Sequence, residues 1–111
     1  MRRVCPECKT AYAPSPNLLN QVGLTAEIVN GRPLCFGRGC ATCNQSGYKG
    51  RLGVYEWLRI TDGVRDLIGE RAPTLLIRQK AVEQGMRTLR EDGLRAVFDG
   101  KTTIEEVVKY T

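Results

Sequence analysis

Two cysteine pairs of identical spacing constrain this chain more than any other feature of its sequence. Cys5 and Cys8 form one C-x-x-C pair, and Cys40 and Cys43 form the other, with residues 9–39 between them. Each pair can wrap a short turn of backbone around one metal ion, and two such turns complete a tetrahedral tetrathiolate site, the closed geometry of structural zinc. The spacing therefore predicts one structural metal site with these four cysteines as its ligands.

Two other interpretations of the cysteines are local redox pairs and ordinary buried thiols. A thioredoxin-like pair needs a strand before it and a helix after it. Cys5 lies near the start of the chain and Cys40 lies in a glycine-rich stretch, so a redox role is disfavoured. Cys35 is too far from Cys40 to share its turn. We interpret Cys35 as a bystander on a strand, because free cysteine is most often buried.

Composition limits the class of protein. Hydrophobic residues make up 41% of the chain and charged residues 26%, so we expect a folded domain rather than disorder. No apolar run is long enough to span a membrane, so no membrane insertion is expected. No signal region precedes Cys5, which predicts a cytoplasmic protein with reduced or metal-bound thiols. The absence of histidine excludes catalytic schemes with an imidazole base.

Charge and turn-forming residues divide the chain near residue 53. Residues 1–53 hold every cysteine and carry the whole net charge of +5, whereas residues 54–111 hold equal numbers of acidic and basic side chains. We predict a tetracysteine zinc-binding subdomain over 1–53 and a strand plus a helical subdomain over 54–111.

The small size of the first subdomain is a reason to expect a metal. A core of about fifty residues contributes roughly 3–5 kcal/mol to stability at most, whereas structural zinc contributes roughly 10–16 kcal/mol of apparent binding free energy. The nearby cations would offset the negative charge of a zinc tetrathiolate.

Local signals predict an α+β fold in which a small zinc-stapled knuckle and hairpin module precedes three to four short helices. Ser15 and Pro16 predict a helix start, and Asn30-Gly31 predicts a tight hairpin turn. Alternating apolar residues predict a strand near 52–60, on which Glu56 either pairs with a basic group or stays exposed. A further helix is predicted with Asp62 as its cap, and others are predicted over 73–84, 88–99 and 104–110, the last with Thr103 as its cap and Glu106 completing a capping box.

The spacing of cysteines, glycines and charged residues resembles that of a known family. The resemblance is to the GspE/PilB-type traffic ATPases of type II secretion and type IV pili, and it covers nearly the whole chain in order. The residues that carry it are Cys5-x2-Cys8, Gly39-Cys40-x2-Cys43-x3-Gly47-Tyr48-x-Gly50-Arg51-x-Gly53-x-Tyr55-Glu56, the run from Gly85 to Leu94, and the run from Gly100 to Val107.

The resemblance implies the C-terminal region of such an ATPase, comprising its metal-binding and helical subdomains. In the family these follow an ATP-binding core that hexamerises, and the phosphate loop and acidic box of that core are not among these residues. The implied role is non-catalytic and structural, with one Zn²⁺ and no other cofactor, in support of ATP-driven protein export or pilus extension. The implied partners are the rest of the parent ATPase, neighbouring subunits of its hexamer and the inner-membrane platform protein. The implied location is cytoplasmic and peripheral to the inner membrane.

Three competing functions are weaker. Gly100-Lys101-Thr102 matches the end of a phosphate loop, but Arg95 stands where the first glycine belongs, so nucleotide binding is not predicted. A zinc-ribbon module that binds nucleic acid is the alternative function, although 6% aromatic residues and scattered basic residues disfavour it. An enzyme that uses the metal for hydrolysis is disfavoured because a tetrathiolate site has no open position for water.

Overall fold

Two small antiparallel sheets and six helices make up the fold, which confirms the predicted α+β class. The computed structural model describes residues 1–111. None of its helices combines the length and the apolar composition that crossing a membrane requires. The elements, in chain order, are β1 (Arg2–Val4), β2 (Lys9–Tyr12), α1 (Pro16–Asn20), α2 (Ala26–Val29), β3 (Leu34–Gly37), β4 (Tyr48–Arg51), α3 (Asp62–Gly69), α4 (Thr74–Glu83), α5 (Leu89–Phe98) and α6 (Ile104–Tyr110).

The strand pairing is nested. The outer strands β1 and β4 pair with each other, and the inner strands β2 and β3 pair with each other, both in antiparallel register. Val4 lies opposite Tyr48 in the first sheet, and Lys9 lies opposite Gly37 in the second. The turn from β1 to β2 and the turn from β3 to β4 are therefore held side by side.

The main core joins residues from both ends of the chain. Contacts group Met1–Val54 and Arg90–Thr111 into one compact unit. Gly93 of α5 makes this possible, because a Cβ there would lie 3.1 Å from a methyl group of Val107 and 3.2 Å from Met1. The glycine therefore permits close packing in addition to weakening the helix. The buried core residues are Leu19, Val22, Leu24, Val29, Leu34, Val97, Ile104 and Val107.

Tyr55–Leu89 forms the second compact unit. Thr61, rather than the predicted Asp62, caps α3 through its side chain, which accepts from the amide of Val64 at 3.3 Å. Val64 is the buried residue of α3, and Ala81 is the buried residue of α4. The compact units thus place α5 and α6 with the cysteine half, whereas we predicted them in a subdomain over 54–111. As functional subdomains, 1–53 and 54–111 stay a prediction.

Two sequence predictions of β-structure were wrong. The first arm of the predicted hairpin, residues 27–29, lies in helix α2, because Thr25 caps this helix and Asn30 ends it in the left-handed region at φ 53°. The strand near 52–60 does not form. The pairing of β4 stops at Leu52, whose amide and carbonyl bond to the carbonyl and amine of Met1. Beyond Leu52 the segment has no strand beside it.

Candidate metal centre

Each cysteine pair occupies a turn that connects one sheet to the other. Cys5 and Cys8 lie between β1 and β2, and Cys40 and Cys43 lie between β3 and β4. Backbone hydrogen bonds carry the strand pairing into these turns: the amide of Cys5 donates to Gly47 at 2.9 Å, and the amide of Arg38 donates to Cys8 at 3.1 Å. The nested sheets therefore bring the two cysteine pairs together, although 31 residues of the chain separate Cys8 from Cys40.

 Cys5 thus lies beside Cys40, and Cys8 lies beside Cys43, although the two residues in each contact are 35 positions apart in the sequence.

The four sulfur atoms form a cluster with the dimensions of a tetrahedral metal site. The Cys5 and Cys40 sulfurs are 3.8 Å apart, those of Cys8 and Cys43 are 3.8 Å apart, and those of Cys40 and Cys43 are 3.7 Å apart. All four lie within 4.8 Å of one another. A regular tetrahedron with Zn–S bonds of about 2.3 Å has sulfur–sulfur edges of about 3.8 Å. The residues present therefore fit a metal ion held by four thiolates.

Backbone amides point at two of these sulfurs. The amide of Gly39 donates to the Cys8 sulfur at 3.3 Å. The Cys43 sulfur accepts from the amides of Cys40 at 3.4 Å and Gly47 at 3.2 Å. Amide donors stabilise a thiolate more than a thiol, because the charged sulfur is the better acceptor. The turns thus supply donors that favour the form of cysteine a metal requires.

The second cysteine turn depends on unusual backbone conformations. Asn44 and Gln45 both lie in the left-handed region, at φ 54° and 63°. At the end of β3, Gly37 approaches Gly47 so closely that a Cβ on Gly37 would lie 2.0 Å from the Gly47 carbonyl oxygen. The sequence indicated turns at the glycines, but it carried no signal for consecutive left-handed residues at Asn44 and Gln45.

Ionisation differs among the clustered thiols. Burial opposes ionisation of Cys43, but the amides of Cys40 and Gly47 and the neighbouring thiols outweigh it and lower the pKa of Cys43 to about 6. Burial raises the pKa of Cys8 to about 11; the neighbouring thiols add to this, and the amide of Gly39 opposes it. One thiol of the cluster therefore ionises readily while another resists. A bound dication is what would allow all four to be thiolates together.

Cys35 stands apart from this cluster. It lies on β3 opposite Ala11 and is half-buried. Its sulfur is near Gly100, where a Cβ would lie 3.6 Å away. The strand position agrees with the sequence expectation, while the role of bystander stays a prediction.

A buried carboxylate ties the last helix to the strand that leads into the first cysteine turn. Glu106 is 1% exposed, and its carboxylate accepts three hydrogen bonds from Arg2: from the backbone amide at 2.9 Å, from Nε at 3.0 Å and from Nη2 at 2.7 Å. Burial favours the neutral acid, but the donors of Arg2 outweigh burial and lower the pKa of Glu106. The Arg2 guanidinium also lies 4.0 Å from the centre of the Tyr48 ring.

This contact differs from the predicted capping box. Thr103 caps α6 as predicted, since its side chain accepts from the amide of Glu106 at 3.3 Å. The reciprocal half is absent because the Glu106 carboxylate is taken by Arg2. Two neighbouring threonine hydroxyls reinforce the connection: Thr102 donates to the Arg2 carbonyl at 2.9 Å, and Thr103 bonds to the Tyr48 hydroxyl at 2.9 Å. No local sequence signal identifies a partner so distant in the chain.

Glu56 is exposed, which agrees with one of the two alternatives that the sequence left open. Its carboxylate accepts from the backbone amide of Leu89 at 3.3 Å. It is therefore an exposed carboxylate that bonds to a backbone amide. A backbone amide at the start of α5 was not among the partners that the sequence suggested.

Comparison with known proteins matches the chain to one family along almost its full length. The family model described as "Type II/IV secretion system protein" matches residues 1–109. The type IV pilus assembly ATPase PilB of Thermus thermophilus is 40% identical over all of this chain, and that of Myxococcus xanthus is 38% identical over 99% of it. The type II secretion system protein E of Dickeya dadantii is 40% identical over all of it.

The chain is short beside these relatives. It spans 12% of the length of the Thermus protein, 20% of the Myxococcus protein and 21% of the Dickeya protein. The family match over residues 1–109 nonetheless includes both cysteine turns, the strands that hold them together and the helix that carries Glu106. The chain belongs to the type II/IV secretion system protein family.

Proposed function

We propose that this chain is the zinc-stabilised, non-catalytic C-terminal region of a secretion or pilus-assembly ATPase. The observation that carries the proposal is the sulfur cluster, whose edges of 3.7 to 3.8 Å match a zinc tetrathiolate. The proposed ligands are Cys5, Cys8, Cys40 and Cys43. The ordered run of motifs that resembles the C-terminal region of such ATPases supports the position within the parent.

A structural role follows from the coordination that four thiolates provide. A tetrahedral ion with four protein ligands has no open position for water or substrate, so it holds chain segments together rather than activating a reactant. Here the segments are the turn after β1 and the turn after β3, which no disulfide connects. Zinc suits four thiolates, although iron accepts the same ligands, so the metal must be identified by measurement.

The names of the relatives suggest the setting in which this region acts. They are type IV pilus assembly ATPases and type II secretion system proteins E. We propose that the region supports ATP-driven protein export or pilus extension by completing the parent ATPase. Its proposed partners are the rest of that ATPase, neighbouring subunits of a hexamer and an inner-membrane platform protein. The proposed location is cytoplasmic, at the inner membrane.

Metal analysis of the purified chain tests the proposal. Elemental analysis should find one zinc per chain, and the zinc-loaded chain should release no phosphate from ATP above background. Cys8→Ser should lose most of the metal, because it removes one of four ligands whose sulfurs are in contact. Mixed zinc and iron loading, followed by competition between the two metals, identifies the ion that the site prefers.

Cys35→Ser is the matched control, since it removes a thiol outside the cluster. It should keep the full zinc content, and Cys8→Ser combined with Cys35→Ser should show whether Cys35 replaces the lost ligand. Unchanged zinc in Cys8→Ser and in the double variant would exclude the four-cysteine site. ATP hydrolysis that follows the chain through purification would exclude the non-catalytic role.

A further inference from the structure

A pocket lined by basic side chains lies beside the first cysteine turn. We propose that this basic pocket binds a small, multiply charged phosphate. Its volume is about 480 Å³, within the range of about 300 to 1,000 Å³ that is usual for ligand sites. The cations that line it are Arg3, Lys9, Lys49, Arg51 and Lys101. The inference goes beyond the structural role of the metal and does not depend on the parent protein.

The fold assembles the basic pocket from three separate parts of the chain. The first part holds Arg3 and Lys9, the second holds Lys49 and Arg51, and the third holds Lys101. Pairing of β1 with β4 places Arg2 opposite Arg51 and so brings the first and second parts together. The third part joins β1 through the amide of Val4, which donates to the carbonyl of Lys101 at 2.9 Å. A Cβ on Gly100 would lie 2.7 Å from Nζ of Lys9, so the ammonium group rests against the backbone at a position where only glycine leaves room.

The cations of the pocket have no anionic partner. No acidic residue lines the pocket, none of its five cations forms an ion pair, and all five are exposed. Other basic residues of the chain do pair, as Arg2 does with Glu106 and Arg65 does with Asp62. Five like charges around one concavity create a positive potential that attracts an anion.

Neutralisation of the metal centre does not account for all of this charge. A zinc ion with four thiolates carries a net charge of about −2, whereas five cations line the pocket. The amides of Gly39, Cys40 and Gly47 already stabilise charge on the sulfurs. The cations in excess are available to an external ligand.

The side chains indicate a phosphate rather than a nucleobase. Arg3 and Arg51 can each donate two parallel hydrogen bonds to phosphate oxygens, and the lysines add point charges. No aromatic side chain lines the pocket, and stacking on aromatic rings is the usual means of holding single-stranded nucleic acid. The ligand is therefore recognised through phosphate groups, which a soluble oligophosphate and a phospholipid headgroup share.

Calorimetric titration of the zinc-loaded chain with inorganic tripolyphosphate at low salt tests the proposal. Binding is expected, and Arg51→Gln and Lys101→Gln should each weaken it about three- to tenfold, since each removes one charge-assisted contact. Arg38→Gln is the matched control: it removes one exposed arginine from the same compact unit without touching the pocket, and it should change the affinity less than about twofold.

Vesicles separate the two sources of phosphate. Binding to phosphatidylglycerol vesicles but not to phosphatidylcholine vesicles, with loss in Arg51→Gln, would support a headgroup as the source. Tripolyphosphate binding without vesicle binding would support a soluble oligophosphate. The proposal is overturned if tripolyphosphate does not bind, if Arg38→Gln weakens binding as much as Arg51→Gln, or if duplex DNA binds far more tightly than either probe.

Discussion

At the residue scale, the contact between Glu106 and Arg2 shows which interactions the sequence does not reveal. The sequence predicted a capping box from Thr103 and Glu106, and the threonine half formed because it depends on neighbours in the same turn. The carboxylate is buried and instead bonds to Arg2, whose guanidinium and amide offer three donors. Three donors, two of them on a guanidinium, stabilise the carboxylate more than the single backbone amide that a capping box offers, but finding them requires the tertiary fold.

Glu106→Gln should lower the free energy of unfolding by about 1.5–3 kcal/mol at pH 7, the range for hydrogen bonds to charged groups. The pKa of Glu106 is lowered in the folded state, so its contribution is complete above the unfolded value of about 4.3 and is lost as pH falls through the folded pKa. The difference between wild type and Glu106→Gln should therefore shrink as the pH is lowered from 6 towards 3. Urea unfolding measures it, with wild type and variant compared at equal zinc content at each pH, because a thiolate site releases zinc as its ligands are protonated.

Glu105→Gln is the control for this prediction. Glu105 is the neighbouring carboxylate, and it is exposed, so its substitution should change stability by less than about 0.5 kcal/mol. A loss in Glu105→Gln equal to that in Glu106→Gln would show that overall charge, rather than the contact with Arg2, is responsible.

At the element scale, signals between neighbouring residues predicted helix starts correctly, whereas the pairing of strands distant in the chain was not predicted. Ser15 and Pro16 begin α1 as predicted, and α6 begins at Ile104 after the Thr103 cap. The hairpin prediction failed because Asn30-Gly31 suits a helix end as well as a turn, and Thr25 had already capped a helix. The pairing of β2 with β3 joins strands that no short turn connects, so local residue preferences could not reveal it.

The close approach of Gly37, at the end of β3, to Gly47 can be tested by substitution. Gly37→Ala should lower both stability and zinc affinity, because its Cβ would lie 2.0 Å from the Gly47 carbonyl oxygen. Gly47 would have to move, and its amide would no longer donate to the Cys43 sulfur as it does now. Overpacking of this kind costs about 1–3 kcal/mol. Thermal unfolding and competition with a zinc-sensitive dye measure the two effects.

Gly69→Ala is a matched control. Gly69 ends α3, and a Cβ there would meet no atom within 4 Å. Because alanine restricts the unfolded chain more than glycine does, this change should be neutral or stabilising by about 0.4–1 kcal/mol. If Gly37→Ala behaves like Gly69→Ala, the close approach of the two backbones does not matter to the site.

At the scale of the whole molecule, the cysteine cluster and the apolar core belong to the same compact unit. The core draws α5 and α6 onto residues near the start of the chain, while the cysteine turns hold the strands that present Arg2 to Glu106. The sequence predicted the four-cysteine grouping because its spacing is local to each turn. Charge balance does not report which apolar faces meet, so the sequence did not predict that α5 and α6 pack in the compact unit that holds the cysteine turns.

Removal of the metal should therefore destabilise this whole unit. Binding at a free zinc concentration of about 1,000 times Kd adds roughly 4 kcal/mol, which corresponds to a fall in Tm of at least about 15 °C when the ion is taken away. Excess chelator should lower Tm by that amount, collapse the dispersed amide signals of β1 to β4 in an NMR spectrum, and act reversibly when zinc is returned. Chelator already saturated with zinc is the control and should change neither. A metal-free chain with the same Tm and the same spectrum would mean that the cysteine cluster is not what holds this unit together.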